Sequence, residues 1–301
     1  MTLLESVPNV SEGRDPGVIE SIAQALRQRG RVLDIHSDAD HHRSVFTVVA
    51  GADDLVGALL EGIARAAELI DLRHHDGIHP RIGASDVVPI VPIGDSGMEL
   101  ARDVALTLGQ RVGAELGLPV FLYGTSGGGK RPAFFRHGGP AELQRRIDTG
   151  EVRPAFGPAR LDPRAGGVLI GARPLLIAFN IDLSTGDLED ANAIALAVRE
   201  SGGGMPGVQA LGLLLRDSGR VQVSLNVIDV SAAPLVEVVG RVRDLAALRG
   251  VEVGPSELVG LIPEAAVAPA AALGLPDLPD AKVLERRLYP GSPSTEGTAG
   301  E

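Results

Sequence analysis

Val208-Gln209-Ala210-Leu211-Gly212-Leu213-Leu214-Leu215-Arg216-Asp217-Ser218-Gly219-Arg220-Val221-Gln222-Val223-Ser224-Leu225-Asn226-Val227 reads as a β-hairpin. Two apolar runs flank a polar turn ending in Ser-Gly. Upstream, Asp187-Leu188-Glu189-Asp190 opens a helix that runs to Arg199 and stops at Gly202-Gly203-Gly204. Before that helix, residues 175–182 form a buried-looking strand. Downstream come a helix over 234–248 and a short strand, Val251-Glu252-Val253. The order around the hairpin is therefore β-α-β-β-α-β.

The first half repeats that order without repeating the residues. Residues 3–8 predict a strand. Asp15-Pro16 caps and opens a helix whose Ile19, Ile22, Ala23 and Leu26 share a face before Gly30 ends it. Residues 31–35 and 44–50 predict strands, and Asp53-Asp54 is read as the cap of a long helix reaching Ile70. Residues 87–93 are apolar but carry Pro89 and Pro92, which predicts an edge or irregular strand. A helix over 98–116 and a strand over 119–123 follow. Residues 124–167 read as loops plus one short helix near 140–148. The fold class is α/β (α+β), two ferredoxin-like βαββαβ subdomains with a ligand crevice between them. The expected division is 1–165 and 166–289, with a disordered tail over 290–301.

Composition narrows the function classes. The 301 residues carry 28 Lys+Arg against 39 Asp+Glu, a net charge of −11, which argues against nucleic acid as a partner. Zero Cys removes disulfides, thiolate metal sites and a cysteine nucleophile. Aromatics are only 3%, so the core must be built from Val, Leu, Ile and Ala. No stretch reaches the ~18 apolar residues of a membrane span, and no targeting signal is visible. The expectation is a cytoplasmic protein with no membrane partner.

Six of the seven His fall in two windows, Asp34 to Ser44 and Arg73 to Arg81. Three readings stand side by side. The windows are solvated loops, or a metal site, or the seat of acid–base chemistry by one imidazole. Neither window has H-E-x-x-H spacing, and no metal is assigned. Pro80 restricts the backbone of His79, and Asp86 lies nearby in sequence. Arg43, Arg81 and Arg173 are candidate clamps for carboxylates in a chain of negative overall charge. Gly124-Thr125-Ser126-Gly127-Gly128-Gly129-Lys130-Arg131 spells most of a phosphate-binding loop, but Arg131 stands where Ser or Thr would hold Mg²⁺. An unusual Gly-rich surface loop accounts for it better. A nucleotide-dependent enzyme is kept as an alternative.

Several segments together resemble the glutamate formimidoyltransferases. Val7-Pro8-Asn9-Val10-Ser11-Glu12-Gly13-Arg14 resembles V-P-N-F-S-E-G-R, and Asp38-Ala39-Asp40-His41-His42-Arg43-Ser44-Val45 resembles D-x-D-H-N-R-S-V. His79-Pro80-Arg81-Ile82-Gly83-Ala84-Ser85-Asp86-Val87 resembles H-P-R-x-G-A-x-D-V. Phe156-Gly157-Pro158, the run from Gly171 to Leu183, and Leu258-Val259-Gly260-Leu261-Ile262-Pro263 are similar to further motifs in the same order. His42 stands where the family has Asn, and Val10 where it has Phe.

The resemblance implies transfer of the formimino group from N-formimino-L-glutamate to N5 of tetrahydrofolate, in histidine degradation, by a homodimer. It places the catalytic imidazole at His79; in the acid–base mechanism that follows, Asp40 or Asp86 would favour a cationic intermediate. It places a folate-contacting loop at Gly157, Pro158, Ala159, Arg160, Leu161, Asp162, Pro163, Arg164, Ala165 and Gly166. On that reading Arg43, Arg81 or Arg173 would be the substrate-binding clamps for carboxylates of formiminoglutamate or the folate tail. The chain is too short to carry the cyclodeaminase fused to the animal enzyme. A related folate-binding protein without transfer activity, or a one-carbon transferase with another donor, are the alternatives.

Overall fold

The structure, a computed structural model, describes residues 2–184, 187–215 and 218–290. Residues 291–301 of the expected tail lie outside the described residues.

The first unit is built on β1 (Leu4–Ser6), β2 (Asn9–Val10), α1 (Pro16–Arg27), β3 (Arg31–Asp38), β4 (Arg43–Ala50), α2 (Ala52–Leu69) and β5 (Ser85–Pro92). It continues through α3 (Met98–Arg111), β6 (Val120–Gly124), α4 (Pro132–Arg136), α5 (Gly139–Asp148) and β7 (Val168–Ala172). The second comprises β8 (Ile177–Leu183), α6 (Leu188–Val198), β9 (Val208–Leu214), β10 (Val221–Val227), α7 (Leu235–Leu248) and β11 (Val253–Val259), followed by α8 (Ala270–Leu273) and α9 (Leu284–Leu288).

The first sheet runs β3, β4, the paired segments β1 and β2, β5, β7, β6. Its first four positions have the ferredoxin-like order, antiparallel throughout. β7 then inserts between β5 and β6, parallel to both. The second sheet, β11-β8-β10-β9, has the same ferredoxin-like order. β7 carries the first sheet past the expected division at 165.

Local chemistry explains most of the elements. The Asp15 carboxylate accepts from the Gly17 and Val18 amides, with Pro16 in the first turn, as the sequence implies. α2 corrects one expectation: its cap is Gly51, and Asp53 and Asp54 lie inside the first turn, where they face the positive helix end. α1 packs on α2 closely enough that a Cβ at Gly62 would come 2.5 Å from Leu26 Cδ2. A further correction concerns β5, which is interior rather than an edge strand. Pro89 lacks only one donor, and its carbonyl accepts from Ser6 Oγ at 2.6 Å. The helix ending near Leu116 does so through a π turn, Val112–Leu116. The last strand is longer and later than the expected 251–253.

The second sheet has one face covered, by α6 and α7, whereas the first carries α1, α2 and α3 on one face and, over β5, β7 and β6, α4 and α5 on the other, around Phe121, Phe135, Leu143 and Leu169. Phe46, Val48, Val88 and Ile90 fill one core, and Phe179, Ile181, Val223 and Leu225 the other, dominated by aliphatic residues as composition required. The alternate residues of the same strands face the opposite way. A small apolar cluster of Leu33, Val49, Leu284 and Leu288 joins the units, reinforced by Lys282 on Asp34 at 2.9 Å and Arg287 Nε on the Leu33 carbonyl at 3.1 Å.

Candidate active site

The open face of the second sheet and the part of the first sheet's opposing face not covered by α4 and α5 enclose a cavity of about 660 Å³. The first sheet contributes Glu5 and Asn9 from its central strand and Arg43 and Thr47 from β4, while the second contributes Ala178, Asn180, Ser224 and Asn226. All are the alternate residues left over once each strand has buried its apolar set under helices. Arg43, Arg136, Arg173, Lys130 and Arg131 line this cavity against only Glu5 and Asp38. A chain of net charge −11 thus holds a locally cationic chamber.

His79 lines the chamber and is half-buried. Its Nδ1 lies 2.8 Å from the Pro80 carbonyl oxygen. A carbonyl only accepts, so Nδ1 carries the hydrogen and, in the neutral ring, Nε2 keeps its lone pair. Burial, with Arg43 and Arg136 close by, holds the imidazole well below its ordinary value of 6.5. Arg81 donates to the His79 carbonyl at 2.8 Å and also to that of Gly77, so it fixes the loop instead of lining the chamber. The His41 ring lies 6.1 Å from the His79 ring, with Nε2 buried and unpartnered. Desolvation lowers its pKa too.

Beneath them, Asp86 is fully buried. Its carboxylate accepts from Arg43 at 2.9 Å, from Arg136, and from the Ile82 amide at 2.8 Å. These partners outweigh desolvation and hold its pKa down to about 2. Arg43 also donates to Asn9 Oδ1 at 2.9 Å, and burial lowers it to about 10, so it stays charged at neutral pH. Asp86 therefore acts on the chamber through two arginines.

The remaining sequence candidates divide. Arg173 lines the chamber and donates to the Pro174 carbonyl at 2.9 Å. Asp40 sits in the β3–β4 turn, outside the lining, and accepts from Ser218 Oγ of the second unit at 3.0 Å. None of Gly157, Pro158, Ala159, Arg160, Leu161, Asp162, Pro163, Arg164, Ala165 and Gly166 lines the chamber. That loop lies behind it as a brace. Asp162 Oδ1 accepts from the Arg164 and Ala165 amides, the Ala84 amide donates to the Ala165 carbonyl at 2.8 Å, and Gly167 to Ile82 at 3.0 Å. It thus fixes the backbone between His79 and Asp86.

The Gly-rich loop lines the chamber mouth but closes on itself. Gly124 donates to the Lys130 carbonyl and Gly129 to the Gly124 carbonyl, both at 2.8 Å. The helix that follows has five residues, so the long helix that backs a phosphate-binding loop is absent from this segment. Sequence reading passed over Glu5, Asn9, Tyr123 and Arg136 as individual site residues. Arg136 carried no signal, because the contact with Asp86 spans fifty positions. Glu5 and Asn9 had one: polar residues within a short strand-forming run.

The sequence profile described as the formiminotransferase domain, N-terminal subdomain, matches residues 3–173, and that of the formiminotransferase domain matches 178–276. The change from one to the other falls in the link between β7 and β8. The chain belongs to the formiminotransferase family. This formiminotransferase is 39% identical to the glutamate formimidoyltransferase of Thermoplasma acidophilum over 96% of the chain and 98% of that protein. It is 35% identical to that of Streptococcus pyogenes over 89% and 92%. It is 39% identical to the formimidoyltransferase-cyclodeaminase of Sus scrofa, of which it spans 52%. It is a transferase. His42, where the family motif has Asn, has φ 47°, a left-handed conformation that Asn and His tolerate better than most residues. Its ring stacks on His75 at 4.2 Å and accepts from the Gly13 amide at 3.1 Å. No described helix is long and apolar enough to cross a membrane.

Proposed function

We propose that this formiminotransferase transfers the formimino group of N-formimino-L-glutamate to N5 of tetrahydrofolate, in histidine degradation, with His79 as general base and then general acid. The observation that carries the reading is the His79 ring, neutral and with its Nε2 lone pair free, in a cationic chamber between two sheets. N5 attacks the carbon of the protonated formimino group, and the C=N electron pair moves to its terminal nitrogen, which becomes a neutral amine. His79 Nε2 takes the proton that N5 loses. The imidazolium returns that proton to the glutamate nitrogen as its bond to carbon breaks, and the C=N bond re-forms. No proton is consumed overall. A positioned base and acid of this kind contributes roughly 10²–10⁴ in rate. Holding both reactants in one chamber adds several kcal/mol, of the order of 7 or more in the best cases.

The chamber fits both molecules chemically. Its volume of about 660 Å³ is within the usual range for such sites. Arg43 and Arg136 beside His79, with Arg173, Lys130 and Arg131, offer partners for the carboxylates of the donor and of the folate tail. Asp86 holds Arg43 and Arg136 in place. We infer a homodimer, as the family resemblance implies, which light scattering of the purified protein tests.

The test is a spectrophotometric assay with tetrahydrofolate and formiminoglutamate, with formiminoglycine and formylglutamate as rival donors. Formiminoglutamate is expected to be the preferred donor, and His79→Gln to abolish most turnover while retaining folate binding. Wild-type turnover in that variant refutes the role of His79. Tight folate binding by the native protein without transfer selects the binding-protein reading.

A further inference from the structure

Glu5 lies on the chamber wall, only 4% exposed, on the same strand face as Asn9. No hydrogen bond or ion pair reaches its carboxyl group among the described residues, although it is buried. An unfilled acceptor in such a place costs stability. Both lobes leave it open toward the cavity, whereas Asp86, equally buried, has every neighbour it needs. The arrangement points to a ligand that brings N–H donors.

The spacing says which donors. Glu5 in β1 and Asn9 in β2 are four residues apart, and the pairing with β5 keeps one register from Glu5 opposite Val91 to Asn9 opposite Val87, shifting only after Asn9. That separates their Cα atoms by about 13 Å. Asn9 is tied to Arg43 at the His79 end. A bicyclic pterin with its N5 at His79, together with a hydrogen bond of about 2.9 Å at each end, spans most of that distance and presents its far edge to Glu5. That edge carries a ring N–H and an exocyclic amino group side by side. The two donors are parallel, as in a guanidinium, and match the two oxygens of one carboxylate.

We propose that Glu5 binds the 2-amino and N3–H edge of the pterin and so sets which end of tetrahydrofolate enters the chamber. This rests on the folate reading above. Arg173, whose charge acts on Glu5, stands beside it with donors for the neighbouring 4-oxo group.

The experiment compares native protein, Glu5→Gln and Glu5→Asp. It measures binding of tetrahydrofolate and of its 2-desamino analogue, together with the KM for formiminoglutamate. Circular dichroism checks that each variant is folded. Glu5→Gln is expected to weaken tetrahydrofolate roughly 10- to 100-fold, the range for hydrogen bonds to a charged group. The analogue should change by less than about threefold, and the KM for formiminoglutamate should hold. Glu5→Asp, with its carboxylate withdrawn by one methylene, should fall between. Native affinity of Glu5→Gln for tetrahydrofolate overturns the inference and leaves formimino transfer standing. A rise confined to the KM for formiminoglutamate also overturns it, since Glu5 would then face the donor. Failure of the native protein to bind tetrahydrofolate removes the functional reading itself.

Discussion

Replacing Glu5 with Gln should make the ligand-free protein more stable at alkaline pH, and the size follows from its surroundings. Burial raises the carboxyl from 4.5 to about 7; Arg173 pulls the other way, and Glu285 adds to the rise. A folded-state pKa above the unfolded value means that the native protein binds the extra proton between pH 4.5 and 7. The contribution of this group to stability is full below the lower value and is lost as pH rises through the upper one. At about 1.4 kcal/mol per pH unit, the loss comes to about 3 kcal/mol by pH 8. Gln has nearly the same shape and does not titrate, so Glu5→Gln escapes the loss. The chain has no Trp, so guanidinium unfolding is best followed by far-ultraviolet circular dichroism, at pH 4.5 and pH 8. The stability of the variant relative to native protein should grow by about 3 kcal/mol between those conditions. A difference that stays constant with pH refutes the claim that a carboxylate is held in an unfavourable site. Weaker folate binding together with greater stability would be the usual exchange at a functional position.

Further outcomes follow from the same geometry. Because His79 is held well below 6.5, its base form persists as pH falls, and the acidic limb of kcat/KM should lie well below 6.5; a limb centred near 6.5 counts against an enclosed ring. Asp86→Asn strips the counter-charge from Arg43 and Arg136, and should cost about 3–5 kcal/mol in denaturant titrations along with activity. The native Asp86 contribution is present above its unfolded value of 3.8 and is lost as pH falls through about 2, which acid titration of both proteins reads as a native transition missing from the variant. Gly83→Ala would put a Cβ 1.9 Å from the Gly167 carbonyl oxygen, so it should loosen the brace behind His79 and lower kcat more than secondary-structure content; an unchanged kcat argues against bracing.

Periodicity was enough to read both βαββαβ series, because alternating apolar residues record which side of a strand is buried. Asp15, the hairpin and the aliphatic cores follow from short-range rules. β7 was illegible for the opposite reason. Residues 168–172 are buried on both faces between two parallel strands, so the run has no alternation and follows a long irregular segment. β5 misled through Pro89, whose single missing donor an interior strand tolerates when a side chain uses its carbonyl.

The chain order alone determined that two sheets would form, and that the His79 segment and the Arg43 segment would both belong to the first. Only the tertiary structure decided what faces what. It buried Asp86 under two arginines, one of them fifty residues away, turned Arg81 onto its own loop, and left Glu5 facing an unfilled space. The physical reason is that local pattern encodes burial one residue at a time. A titrating group takes its pKa, and a donor its partner, from neighbours that only the closed arrangement of both sheets brings within a few ångströms.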